Sequence, residues 1–335
     1  MMFGTFRLLL ALMVVQSHFA GGGLGGPVAV FGFFCLSGYL MTKIVNESYS
    51  DGLSGYLRFL GNRALRIYPA YYAAVVFAAG VLLLWPIEAR TAAGWYMLPQ
   101  DWLQTFSIIG LQPRSPILLV PAWSLHVEII HFILIGALFG RSRMLTALWF
   151  FCALALTIFA ILRGASFDWL YFTPYGSSVA FAAGAMIHQY REKLPVFSPK
   201  LAIAACCMLV AVSLRMPLEV AHAGGLHASI FIAALSIIAL KNMPAPRWDS
   251  ALGDLAYPVF LLHIPCRAAM SGLLGRSDAW VDVLAVAATI ILSYFIVAVV
   301  ERPLSLIRTK LRSADAMEYE ARRVASSLLT GRVAG

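Results

Sequence analysis

The sequence predicts an all-α polytopic membrane protein of about ten transmembrane helices, with both termini in the cytoplasm. Three observations carry that prediction. Apolar residues make up 61% of the 335 residues and charged residues only 12%, whereas soluble domains carry about 25% charged residues. Mean hydropathy is +0.80. Apolar runs approaching the roughly 20 residues that a bilayer crossing needs recur throughout the chain, at 6–20, 27–45, 65–85, 118–140, 144–162, 171–189, 200–216, 224–240, 251–270 and 280–300.

The distribution of cations gives the orientation. Of the 25 Lys and Arg, 18 lie in the even-numbered connections and the C-terminal tail, from Lys43 to Arg332, and six in the odd-numbered ones. Positive charge concentrates on the cytoplasmic side, so this asymmetry predicts an even number of crossings with N and C termini inside. It also explains the net charge of +9 without a nucleic-acid partner. Cys35, Cys152, Cys206, Cys207 and Cys266 sit inside apolar runs without metal or redox spacing, and read as small core residues. The 86–117 connector, with Trp95, Pro99, Trp102 and Pro113, suits an interfacial helix as well as a loop.

The first span opens "FRLLLALMVVQSH", Arg7 to His18 lying eleven residues apart. At 100° per residue they return to within about 20° of one helix face, about 16 Å apart along the axis. They line one path without touching, and His18 is expected to face a pocket within the bundle as base or nucleophile. A snorkelling arginine with an interfacial histidine fits the same spacing. So does a secretory signal peptide, with Ala20 and Gly22 as the small-residue cleavage pair, although cleavage would leave nine spans and a misplaced N-terminus.

Later spans add further polar groups. In "FFCLSGYLMTK", Ser37 and Gly38 suit close helix packing, and the Ser37 hydroxyl or Tyr39 could instead belong to the site. In "RFLGNRALRIYPAYY", Arg58, Arg63 and Arg66 stand at the cytoplasmic mouth of the third span. Topology alone explains basic residues there, but three guanidiniums and no lysine also suit a polyphosphate. "PAWSLHVEIIHF" places Trp123, His126, Glu128 and His131 in one apolar span, with Glu128 and His131 at i and i+3, close enough to pair. A carboxylate and imidazoles within a span point to acid-base chemistry or proton transport, and no zinc spacing is present, so no metal is expected. "LAYPVFLLHIPC" carries Tyr257 and His263, and His263 reads equally as a satisfied core histidine. In "VVERPLSL", Glu301 is placed to pair with an arginine of the 58–66 stretch, and Pro303 is expected to stop the last helix.

Taken in order, these six stretches resemble the acyltransferase 3 family of integral membrane acyltransferases, over about residues 6–304. The first-span arginine and histidine match Arg7 and His18. The family's "FFxLSGF" resembles Phe33 to Tyr39, "RxxRIxPxY" resembles Arg63 to Tyr71, and "WSLxVEE" resembles Trp123 to Ile129. "YxxYLxHxP" is similar to Tyr257 to Pro265, and the terminal "ExP" to Glu301 to Pro303. The polar lead-in before the first-span arginine is missing, Ile129 stands in place of the second glutamate, and His131 replaces the more usual aromatic. The expected division is a membrane domain over 1–304 and a cytoplasmic tail over 305–335, the stand-alone form without an extracytoplasmic hydrolase-like domain.

The resemblance implies a multi-pass protein of a bacterial-type cytoplasmic (inner) membrane that moves an acyl group, acetyl in the simplest case, from cytoplasmic acyl-CoA to a hydroxyl of a surface or lipid-linked glycan. Acetyl-CoA would be a donor substrate, with no permanently bound cofactor. On that expectation His18 is base or acyl carrier, Arg7 and Glu128 support it, and Arg58, Arg63 and Arg66 hold the donor. The competing class is a proton-coupled transporter or flippase, since buried Arg, His and Glu mark both; no inverted repeat is evident in the sequence.

Overall fold

A computed structural model describes residues 2–19, 25–94, 96–111, 113, 115–215 and 225–312. Ala20, Gly22, Trp95, Arg114 and residues 313–335 of the tail fall outside them. The described chain is helical and contains no strand, only an isolated bridge between Tyr96 and Ile117. In order the helices are α1 (Phe3–Phe19), α2 (Gly25–Ser48), α3 (Leu53–Leu84), the short α4 (Pro86–Ala92) and α5 (Trp102–Ser107), and α6 (Trp123–Leu134). They continue with α7 (Arg143–Leu162), the short α8 (Phe167–Phe172), α9 (Pro174–Gln189), α10 (Pro199–Arg215), α11 (Gly225–Leu240), α12 (Arg247–Leu274) and α13 (Ala279–Ile296).

A helix overlaps each of the ten expected spans. Among the described residues, five segments are long and apolar enough to cross a membrane: Gly25–Ser48, Leu53–Leu84, Val120–Phe139, Arg143–Leu162 and Ala279–Arg312. The outer faces agree with a lipid environment. Leu148, Phe151 and Phe159 on α7, and Trp280, Ile291 and Phe295 on α13, stand exposed, large apolar side chains of the kind that a membrane covers.

Three expectations about the elements need correction. Pro303 does not stop the last helix, which runs to Arg312. Residues Val297–Glu301 form a π turn in which the Arg302 N–H reaches back five residues to the Val297 carbonyl. This wider turn relieves the clash between the proline ring and the carbonyl four residues earlier. The sixth span is broken, because Thr173 ends α8 and caps α9, its hydroxyl accepting from Gly176 N at 3.1 Å. Third, α3 begins twelve residues before the expected start of its span, so Arg58, Arg63 and Arg66 lie on regular helix.

The connector after α3 holds both short helices, and aromatic hydroxyls anchor it. Tyr68, Tyr71 and Tyr72 donate to the carbonyls of Ser107, Thr105 and Phe106 at 2.6, 2.8 and 2.7 Å, satisfying the C-terminal end of α5 that has no intrahelical partners.

Two close helix contacts fix the frame of the bundle. α1 and α12 run parallel, as shown by Gly4 N donating to Asp249 Oδ2 at 2.9 Å near one end and His18 meeting His263 near the other. A methyl group on Gly4 would lie 1.7 Å from the Asp249 carbonyl oxygen. α2 and α9 meet through reciprocal glycines: a Cβ on Gly38 would stand 2.0 Å from the Phe181 carbonyl oxygen, and one on Gly184 1.8 Å from that of Cys35. Small residues permit this approach, the packing mode of helices in lipid.

Candidate active site

A cavity of about 150 Å³ lies between α1, α2, α3, α6 and α12. Each helix sends a polar side chain to it: Arg7, Ser37, Arg63 and Arg66, Ser124 and Glu128, and Tyr257, respectively. Ser37 donates its hydroxyl to Glu128 Oε1 at 2.6 Å, and the Tyr257 hydroxyl donates to the Ile67 carbonyl at 3.0 Å. Arg66 forms an ion pair with the buried Glu301 and lies 3.8 Å from Asp254. Arg63 donates to Asn62 Oδ1 at 3.0 Å, with its guanidinium 6.0 Å from the centre of the Phe59 ring. Three guanidiniums therefore face one carboxylate across the cavity.

His18 is not among the lining residues, and its side chain is exposed. This corrects the expectation of a shared pocket. Spacing put Arg7 and His18 on one face, but a face gives direction and not reach: the long arginine side chain extends into the cavity, and the shorter imidazole meets α12. Phe33 and Phe260, which pack edge to face at 6.0 Å, are among the lining residues. Phe260 lies one turn before His263, and Phe33 packs with the cluster containing Phe19.

His18 Nδ1 lies 2.6 Å from His263 Nε2, the rings stacked at 4.9 Å. His263 is fully buried, and its Nδ1 lies 2.9 Å from the Phe260 carbonyl oxygen. A carbonyl only accepts, so Nδ1 of neutral His263 carries the proton and its Nε2 accepts from His18 Nδ1–H. That leaves the lone pair of neutral His18 on Nε2, free to act as base or nucleophile. The hydrogen bond that each ring makes thus fixes the tautomer of the next.

Other expected site residues have different surroundings. His131 does not pair with Glu128: it is buried, stacked at 4.0 Å on Phe181, with Nδ1 2.8 Å from the Val127 carbonyl. Residues at i and i+3 share a side of a helix only loosely, and here Glu128 turns to α2 while His131 turns to α9. His126 Nδ1 accepts from Gly110 N at 3.0 Å, bracing the connector. Trp123 packs edge-on against Tyr171 and Phe172, and buried Tyr39 against Phe3 and His188. Arg58 is half-buried and does not line the cavity. Among the described residues no group of three or more His, Cys, Asp or Glu comes together as a metal site.

Sequence reasoning missed Asp249, which accepts from Gly4 N, Thr5 N and the Thr5 hydroxyl, the last two at 2.8 and 2.6 Å, and so ties the start of α1 to α12. It also missed Phe33 and Phe260 as an aromatic pair lining the cavity. Their apolar side chains in an apolar chain carried no signal.

An apolar helical bundle that holds three arginines, a carboxylate and an oriented histidine pair in its interior defines an integral membrane protein. Residues 4–298 match the family model Acyl_transf_3, described as an acyltransferase domain. The chain belongs to the acyltransferase 3 family, whose members are membrane acyltransferases. Comparisons with curated proteins and with solved structures gave no match.

Proposed function

We propose that the protein is a membrane O-acyltransferase that takes an acyl group, acetyl in the simplest case, from cytoplasmic acyl-CoA and delivers it to a hydroxyl of a cell-surface or lipid-linked glycan. Ten crossings of a bacterial-type cytoplasmic membrane with both termini inside would set Arg63 and Arg66 toward the cytoplasm and His18 toward the outer half. The observation that carries this reading is the tautomer chain Phe260 carbonyl, His263, His18, which leaves the His18 lone pair on Nε2, near a cavity lined by three arginines.

Arg63 and Arg66 receive the donor phosphates, and the thin pantetheine arm enters between α2 and α12. His18 Nε2 takes the acceptor hydroxyl proton as that oxygen bonds the thioester carbonyl carbon. The C–S bond breaks and the imidazolium returns the proton to sulfur, releasing CoA thiol. If His18 carries the acyl group instead, Nε2 attacks first and the acceptor displaces it. Mass spectrometry of rapidly quenched protein separates the two routes.

In the decisive test, the reconstituted protein is given labelled acetyl-CoA and a membrane extract containing acceptor. Wild type is expected to release CoA and label a glycan, and folded His18→Ala to lose roughly 10²–10⁴ of that rate, the usual contribution of a general base. Undiminished transfer by His18→Ala overturns the reading, and saccharide movement without CoA release favours a transporter.

A further inference from the structure

A second cleft, of about 310 Å³, lies between α4 and the C-terminal turns of α12, and includes the turn that leads to α13. It stands at the lower end of the roughly 300–1,000 Å³ typical of small-molecule sites. Its polar lining is Glu88 and Thr91 from α4, Arg267 and Ser271 from α12, and Arg276 and Ser277 from the turn. Its position relative to the histidine pair follows from α12 itself. His263, Arg267 and Ser271 stand at i, i+4 and i+8, on one helix face, with about 6 Å of rise between successive members. Arg267 joins the two places, since its guanidinium also covers the ring of Phe19, the residue after His18, at 5.3 Å.

The charge pattern differs in kind from that of the arginine cavity. Arg267 donates to Asp282 Oδ1 at 2.7 Å and Arg276 to Asp278 Oδ2 at 2.6 Å, and the bond from Arg276 holds the Asp278 carboxyl below its ordinary range. Each lining arginine is thus already paired with an aspartate beside the cleft, and Glu88 adds a third carboxylate, so a polyphosphate gains little. What remains is a mixture of guanidinium donors, a carboxylate acceptor and three hydroxyls, the complement of a molecule that presents many hydroxyls and no charge.

We infer that this cleft is the acceptor subsite and that it takes an uncharged saccharide ring, held by its hydroxyls one to two turns of α12 beyond His18. The inference rests on the acyltransferase reading for its purpose, but the binding site stands on its own lining. Donor and acceptor then occupy separate clefts that share no lining residue and meet at the histidine pair.

The test uses the full-length protein in vesicles with a neutral disaccharide bearing a photoreactive diazirine, followed by mapping of the crosslinked peptides. Crosslinks are expected in 87–92 and 267–277, competed by the unmodified disaccharide and not by acetyl-CoA, and reduced at least tenfold in Thr91→Trp. Thr91 is exposed on α4, so the indole fills the cleft from its rim. An unchanged gel-filtration profile and melting temperature establish that the variant is folded, and if it is not, Ser277→Trp replaces it. Crosslinks elsewhere, competition by acetyl-CoA, or no difference between wild type and the tryptophan variants overturn the inference. Absence of CoA release with crosslinking intact would instead remove the acyltransferase reading and leave the saccharide site standing.

Discussion

Arg66 and Glu301 show how much a single residue's surroundings decide. Glu301 is 6% exposed and pairs with a guanidinium that lines the cavity. Removing its charge leaves a cation in a poorly solvated place, which typically costs about 3–5 kcal/mol. Glu301→Gln is therefore expected to lower the thermal midpoint sharply. Asp51→Asn, which breaks the exposed Arg141–Asp51 pair, should cost less than about 1 kcal/mol. Equal shifts in a melting series would show that Glu301 is not the buried anchor described. His263 invites a different comparison, since its role is to accept from His18 Nδ1. His263→Gln keeps an acceptor in reach and should retain more transfer than His263→Leu, at similar acetyl-CoA affinity; equal loss would mean that the ring only fills space. The pairing of Glu301 with an arginine of the 58–66 stretch was legible in the sequence. The partners of Glu128 and His131 were not, because spacing on one helix does not say which neighbouring helix covers each side.

At the scale of elements, the glycines of this bundle fall into two kinds. Gly38 and Gly184 face backbone carbonyls of the opposite helix, where a Cβ would approach to 2.0 and 1.8 Å; α2 and α9 must move apart to admit it. Overpacking of this type costs typically 1–3 kcal/mol, so Gly184→Ala is expected to lower the melting temperature and to loosen the α2 face that carries Ser37. Gly61 on α3 meets nothing within 4 Å, so Gly61→Ala should raise stability by roughly 0.5–1 kcal/mol through backbone entropy. A thermal shift of the same sign for both would refute the assignment of α2–α9 as the tight seam. Apolar periodicity and length were enough to locate a helix at each expected span. The π turn before Pro303 and the break at Thr173 were not legible, because both depend on which backbone groups find partners once the chain is folded.

Across the whole molecule, the proposed function requires a passage from the arginine-lined cavity to His18, which is not among its lining residues. The cavity of about 150 Å³ is smaller than the roughly 300–1,000 Å³ of ordinary ligand sites; Phe33 and Phe260 both line it, and Phe33 also packs with the cluster that contains Phe19. Donor binding must therefore widen the space between α2 and α12 and part the two rings. A bulkier side chain at this point should block passage without removing the arginines to which the proposal assigns the donor. Phe33→Trp is thus expected to bind acetyl-CoA about as tightly as wild type, measured by titration of the reconstituted protein, while its transfer rate falls at least tenfold, since small misplacements of a reacting group cost about that much or more. Phe33→Ala should raise the slow hydrolysis of acetyl-CoA by letting water reach the thioester, because exclusion of water is one function of a closed site. If the tryptophan variant transfers at the wild-type rate, the acyl group takes another path to His18, and the aromatic pair is packing alone.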